Sequence, residues 1–101
     1  MVAQYIEKEE DRILTLRSSA LNYIETLALR SEETEKLRKL PVETIKECRE
    51  NGFFSLCQPM RYGGAELPLD AVVDILSILA RGCASTAWVC AVYADHALLV
   101  S

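Results

Sequence analysis

The sequence predicts an all-α fold of four to five helices, and three observations carry it. Ile6, Ile13, Leu16, Ala20, Ile24 and Leu27 recur at steps of three, four or seven, a helical stripe with Glu10 as its one polar interruption. Pro41 and Pro68 each stand at the head of a further run of helix-forming residues, where a missing N–H costs nothing. No stretch of useful length alternates apolar and polar residues as a half-buried strand does.

The first helix covers residues 3–29, which contain no Gly or Pro. Residues 31–39, SEETEKLRK, are almost wholly polar and read as a solvated helical turn or connector. Within them, Glu32–Lys36 and Glu35–Lys39 are acid-before-base pairs, each worth about 0.2–0.5 kcal/mol on a helix surface. A second helix opens at Pro41, carries Glu43 near its positive end and runs to about Glu50. Asn51-Gly52 then supplies a left-handed stop, with Phe53 set to pack back on the last turn. Residues 55–67, SLCQPMRYGGAEL, form a loop, because Pro59 and Gly63-Gly64 bar a continuous helix or central strand. From Pro68 the third helix places Leu69, Val72, Val73, Ile75, Leu76, Ile78, Leu79 and Ala80 nearly all round, the pattern of a buried helix. Gly82 ends it, Ser85 or Thr86 caps the next, and the last helix runs from about residue 86 to the end of the sequence.

Length and composition bound the rest. At 101 residues the chain makes one helical domain, residues 1–101. With 50% hydrophobic and 26% charged residues it is globular rather than disordered. A chain this short buries roughly 60–65% of its unfolded surface, so a piece of something larger should keep one face too apolar for a free-standing domain. The net charge of −4, with no basic cluster clear of acidic neighbours, excludes the electrostatic footprint of a nucleic-acid binder. Cysteines at 48, 57, 83 and 90 have no zinc-ligand spacing, and with a single His no metal site is expected. Unpaired cysteines in apolar surroundings point to a reducing, cytoplasmic setting. Asp70, Asp74, Arg81, Asp95 and His96 interrupt the most apolar region, residues 67–101, so no membrane span is expected.

The residues that can carry chemistry lie in RGCASTAWVCAVYADHALLVS, residues 81–101. Trp88, Val92 and His96 fall at i, i+4 and i+8, on one helix face about 80° wide and about 12 Å long. An aromatic plate and an imidazole would border one cavity, the imidazole suited to hydrogen-bonding or deprotonating a phenol. Against this stands the plainer reading, in which a lone Trp and a lone His on an apolar helix are packed core. Tyr62-Gly63-Gly64 offers either a close backbone approach to a ligand or a plain turn, and it lacks a phosphate-loop pattern. No base adjoins any cysteine in the sequence, so none is expected to be a nucleophile.

LPVETIKECRENGFFSLCQPMRYGGAEL, followed by the apolar helix and ARGCASTAW, resembles the N-terminal helical domain of the acyl-CoA dehydrogenase superfamily. The resemblance rests on the order and spacing of its pieces over residues 40–96, and the first 39 residues fit the family's long opening helix by pattern alone. Cys-Ala-Ser-Thr-Ala-Trp with a His eight residues after the Trp is most similar to one branch, the oxygenase components of two-component flavin-dependent monooxygenases. These take reduced FMN or FAD from a separate flavin reductase and hydroxylate an aromatic ring. The resemblance implies that His96 is catalytic, near the substrate's phenolic oxygen, and that Trp88, Val92 and Ser85 line the substrate pocket. It also implies an aromatic small-molecule substrate, or an acyl-CoA on the dehydrogenase branch, and a homo-oligomer in the whole enzyme. Family members continue into a β-domain and a C-terminal helical bundle that hold most of the flavin site. Neither is expected within these 101 residues, so no flavin is expected to bind this chain alone. Two alternatives stand: a piece of an acyl-CoA dehydrogenase, whose carboxylate base cannot be placed here, and a non-catalytic helical module for self-association or partner binding.

Overall fold

The computed structural model describes the backbone of residues 2–100 and the side chains of residues 8–96. Its elements are α1 (Val2–Leu37), α2 (Val42–Glu50), a 3-10 turn (Met60–Tyr62), α3 (Leu69–Gly82) and α4 (Ala84–Val100), with no strand among the described residues. The all-α expectation stands, with four α-helices.

The long helix α1 is the spine. Ala20 and Leu27 of the expected stripe are fully buried, while Ile13, Leu16 and Ile24 are half-buried against the same core. Ile6 lies outside the described side chains. Tyr23, no member of the stripe, is buried with them and stacks on Phe53 at 5.9 Å between ring centroids. The polar tract does not break α1. Thr34 carries the inner face onward and is only 3% exposed, its hydroxyl donating to the Arg30 carbonyl. Lys36 pairs with Glu32 at 3.6 Å on the outer side. Arg38, with φ 55°, ends the helix.

Helix α2 is tied to α1 by Arg30, whose guanidinium meets the Glu47 carboxylate at 2.8 Å and donates to the Thr44 hydroxyl at 3.4 Å. Its end follows the expected motif. Gly52, at φ 82°, donates to Arg49, and Phe53 donates back to Cys48, the paired bonds of a glycine-terminated helix. Phe53 is thereby turned fully inside, and burying such a ring is worth about 1.5–3 kcal/mol. The following loop folds on itself through Ala65–Ser55, Glu66–Gln58 and Leu67–Leu56 backbone bonds. Gly64 packs directly on the Gln58 backbone, so the close approach that Tyr62-Gly63-Gly64 permits is made to this chain itself. Arg12 ties the loop to α1 by donating to the Ala65 carbonyl at 3.0 Å.

Two expectations about the C-terminal half are corrected. Helix α3 is not buried all round: Ala71, Val72, Ile75, Ile78 and Leu79 face the core, while Leu69 and Val73 are 65% and 55% exposed. Apolar residues on both faces hide this orientation, because periodicity alone does not say which face has a partner. Neither Ser85 nor Thr86 caps α4, which already begins at Ala84. One extended residue, Cys83 (φ −157°, ψ 111°), joins the helices: its N–H donates to Leu79 of α3 and its carbonyl accepts from Ala87 of α4. Thr86 is instead fully buried inside the helix, its hydroxyl without a partner.

Gly82 does more than end α3. A Cβ there would stand 2.6 Å from the Ile24 carbonyl oxygen and 2.8 Å from Leu27 Cβ of α1. Replacing a helical Gly by Ala ordinarily gains about 0.5–1 kcal/mol, but the nearest obstacle here is backbone and cannot rotate away. Overpacking costs about 1–3 kcal/mol and wins. We expect Gly82→Ala to lower the unfolding free energy by about 1–2 kcal/mol in urea titration, the difference of those two effects.

Candidate functional site

Helix α4 is packed the reverse of an ordinary amphipathic helix. Its inner face carries small side chains: Thr86, Ala87, Cys90 and Ala94 are buried, continuing from Cys83. Among the described residues, its large side chains lie outside. Trp88 is 71% exposed, Val92 and Tyr93 are partly exposed, and Ser85 and His96 are exposed as well. Small residues let the backbone of α4 approach the core, and what remains for the outer face is the aromatic and imidazole set.

The four residues named from the sequence therefore stand on the open side of α4, but they do not all meet. Ser85 and Trp88 line one cleft of about 660 Å³ together with Thr34, Glu35, Arg38, Lys39 and Leu40 from the end of α1 and Ala84 and Val89 of α4. Val92 and His96 are not among its lining residues and lie one and two turns further along. Trp88 also walls a shallow apolar groove between α3 and α4, lined by Val73, Leu76, Ala80, Ala84, Ala87 and Ala91. Beyond it Tyr93 stacks on Phe54 at 4.6 Å, closing the space between α4 and the chain after α2. Arg38 and Lys39 were not distinguishable in the sequence, since a mixed run of acids and bases reads as a wet face. Only the meeting of the α1 end with the α4 start gives them a shared position.

A second group of reactive side chains lies in the core. Cys48 of α2 and Cys90 of α4 are fully buried, Cys83 is buried and Cys57 is partly buried, and all of these cysteines are free. Cys48 is lowered below the ordinary thiol range, chiefly by hydrogen bonding with Cys90, and Cys90 is pushed up by the same contact and by burial. Burial also raises Cys57. The Tyr23 hydroxyl beside Cys48 has no partner in hydrogen-bonding geometry, and burial raises its pKa above the ordinary range, with Cys48 and Glu47 adding to the shift. Glu47, the main influence on Arg30, holds that guanidinium more firmly protonated. Cys48 and Cys90 are packing elements, fully enclosed in the core. Among the described residues no three His, Cys, Asp or Glu side chains are grouped to hold a metal ion, and no helix is long and apolar enough to cross a membrane.

Residues 9–100 match the family model described as "Acyl-CoA dehydrogenase, N-terminal domain". The chain belongs to this family. It is similar, at 37% identity over 71 residues, to the flavin-dependent monooxygenase oxygenase subunit HsaA of Rhodococcus jostii (strain RHA1), a match covering 70% of this chain and 19% of that protein. It is similar at 37% over 70 residues to the oxygenase component of p-hydroxyphenylacetate 3-hydroxylase of Acinetobacter baumannii, covering 69% and 17%. A 3-(aryl)acrylate reductase of Clostridium sporogenes (strain ATCC 15579) is 35% identical over 65 residues, covering 64% and 16%. The chain thus spans about a fifth of the length of the curated relatives it matches. No solved structure matches it.

The Tyr23 environment generates a pH prediction. A raised folded-state pKa means the folded chain keeps a proton that the unfolded chain loses, so stability is full below the unfolded value and falls as pH rises past it. Unfolded tyrosine titrates near about 10, so the free energy of unfolding should decline with alkali above that pH. Tyr23→Phe should flatten this decline while changing stability at pH 7 by less than about 1 kcal/mol, because no bonded partner is lost. Urea titrations of both forms between pH 7 and 11 test this.

Proposed function

We propose that this chain is the N-terminal part of a reduced-flavin-dependent aromatic monooxygenase and that the outer face of α4 forms one wall of its substrate pocket. The observation that carries the reading is the placement of Trp88, Val92 and His96 together on the open face of a helix whose inner face is small, in a family whose similar members include oxygenase components of flavin-dependent monooxygenases. An isolated domain gains nothing by leaving a tryptophan 71% exposed beside an apolar groove; such a face is one that another surface covers.

In this reading the Trp88 indole lies along the ring of a phenolic substrate, and Val92 extends the apolar wall. His96 accepts or shares the phenolic proton, which raises electron density in the ring for attack by an electrophilic oxygen. Ser85 stands at the near end of the wall as a hydroxyl donor. FMN or FAD, when bound in the whole enzyme, supplies the reducing equivalents that activate oxygen. The described residues do not fit a flavin site by themselves: the α4 face is a single open wall, with nothing opposite it to exclude water. We expect no flavin to bind this chain alone. The remaining walls would come from a β-domain and a helical bundle beyond the family's N-terminal domain. The partners would be a flavin reductase and further copies of the enzyme, and the unpaired cysteines favour a cytoplasmic setting.

The exposed groove between α3 and α4 also favours the non-catalytic reading, in which the same face serves self-association. Two measurements separate the readings. Titrating the chain with oxidised and reduced FMN and FAD should give no saturable binding, and light scattering should show no discrete symmetric oligomer. Joining residues 1–101 to the remaining four fifths of the Rhodococcus jostii relative should restore flavin-dependent hydroxylation of that relative's substrate. In that chimera His96→Asn should lower the hydroxylated product per NADH consumed by about tenfold or more, while flavin oxidation continues. A His96→Asn chimera with unchanged product yield would remove the histidine from the chemistry.

A further inference from the structure

We propose that Cys48 and Cys90 are a peroxide-reactive pair that closes into a disulfide, joining α2 to α4 through the core. This inference rests on the core alone and not on the monooxygenase reading.

The fold brings together what the sequence keeps about forty positions apart. Both side chains are fully buried in one apolar cluster, and their sulfurs meet in hydrogen-bonding contact. The Cys90 S–H donates to Cys48, which favours the Cys48 thiolate against the effect of burial, and Arg30 adds its positive charge. The same contact, together with burial, keeps Cys90 protonated. One sulfur is thus poised as the nucleophile and the other as the thiol that resolves it. The Tyr23 hydroxyl, buried and without a partner, lies beside Cys48. It supplies a donor for an oxygen carried on that sulfur. Cys57, by contrast, is raised by burial alone.

Enclosure decides how the pair reacts. The inner face of α4 is small, so parting it from α2 exposes little apolar area. The orphaned hydroxyls of Tyr23 and Thr86 gain hydration as it opens. Hydrogen peroxide is scarcely larger than water and enters with it. The Cys48 thiolate attacks one oxygen and the O–O bond breaks. The departing hydroxide takes up the proton that the thiol gave up and leaves as water, so Cys48 becomes a sulfenic acid. On closing, the Cys90 sulfur attacks the Cys48 sulfur. The S–S bond forms, the S–O bond breaks, and the Cys90 proton leaves on the hydroxyl as a second water. The two thiols together lose two electrons, and one peroxide is reduced to two waters.

The test treats the folded 101-residue chain with hydrogen peroxide, removes the peroxide, denatures the chain in iodoacetamide and maps tryptic peptides without reduction. Cleavage after Lys46, Arg49, Arg61 and Arg81 leaves Cys48 in residues 47–49, Cys57 in 50–61 and the other two cysteines in 82–101. The expected product is 47–49 joined to 82–101 within one chain, with the iodoacetamide cap on Cys83 and Cys57, and dithiothreitol should separate the peptides. The same oxidation in denaturing urea is the control. Loop closure in an unfolded chain favours Cys83–Cys90 and Cys48–Cys57 over Cys48–Cys90 by roughly tenfold, and the folded chain should reverse that order. The double variant Cys57→Ser/Cys83→Ala should keep the Cys48–Cys90 link. A folded chain that gives the unfolded pattern, that oxidises Cys57 while Cys48 and Cys90 are capped, or that links one chain to another would overturn the proposal. Recovery of all four cysteines in capped form would do so too.

Discussion

The position of the candidate site depends on one close approach between helices, at Gly82. The backbone of α3 meets the Ile24 carbonyl and the Leu27 side chain of α1 at a distance that admits no Cβ. That contact fixes where α3 ends. Cys83 is then the whole connection to α4, and its extended conformation sets the direction in which α4 leaves. A longer linker would let α4 rotate about its axis; a one-residue joint, bonded to both helices through its own N–H and carbonyl, does not. The face that carries Trp88 and His96 is therefore chosen by a packing contact just before the helix begins.

The composition of α4 completes the arrangement. With Cys, Thr and Ala on its inner side, the helix lies close to the core, and Cys90 reaches Cys48 of α2. Close packing of small residues supplies dispersion contacts without large buried area, while the apolar area of Trp88, Val92 and Tyr93 stays largely outside. The helix thus gives up some of its own stabilisation to present a surface.

Much of this was legible from residue order. The Asn51-Gly52-Phe53 stop is readable because a left-handed glycine followed by a large apolar residue has one common use at a helix end, and the structure uses it so. The i, i+4, i+8 spacing of Trp88, Val92 and His96 put them on one face before any coordinates did. The orientation of that face was not legible. An evenly apolar helix such as α4 carries no periodic signal of inside and outside, and the decision falls to Gly82, which touches Ile24 and Leu27 from far along the sequence. Gly82 itself reads as a helix stop, because sequence shows its freedom of φ and hides its lack of a Cβ. Tyr23 and Thr34 were missed for a related reason: each is polar by type but sits where the spine turns inward, and burial depends on the partner helix. The pairing of Arg38 and Lys39 with Ser85 and Trp88 joins residues about fifty positions apart, which only the folded chain brings together.

The central claim is that the Gly82 contact and the Cys83 joint hold the Trp88 face of α4 outward in the folded chain. Acrylamide quenching of the single tryptophan measures this directly. The account predicts that Trp88 is nearly as accessible to quencher in the folded chain as in urea, at every protein concentration where the chain is monomeric. Several-fold protection of Trp88 in the folded monomer would contradict it, since α4 would then turn its aromatic face into the core.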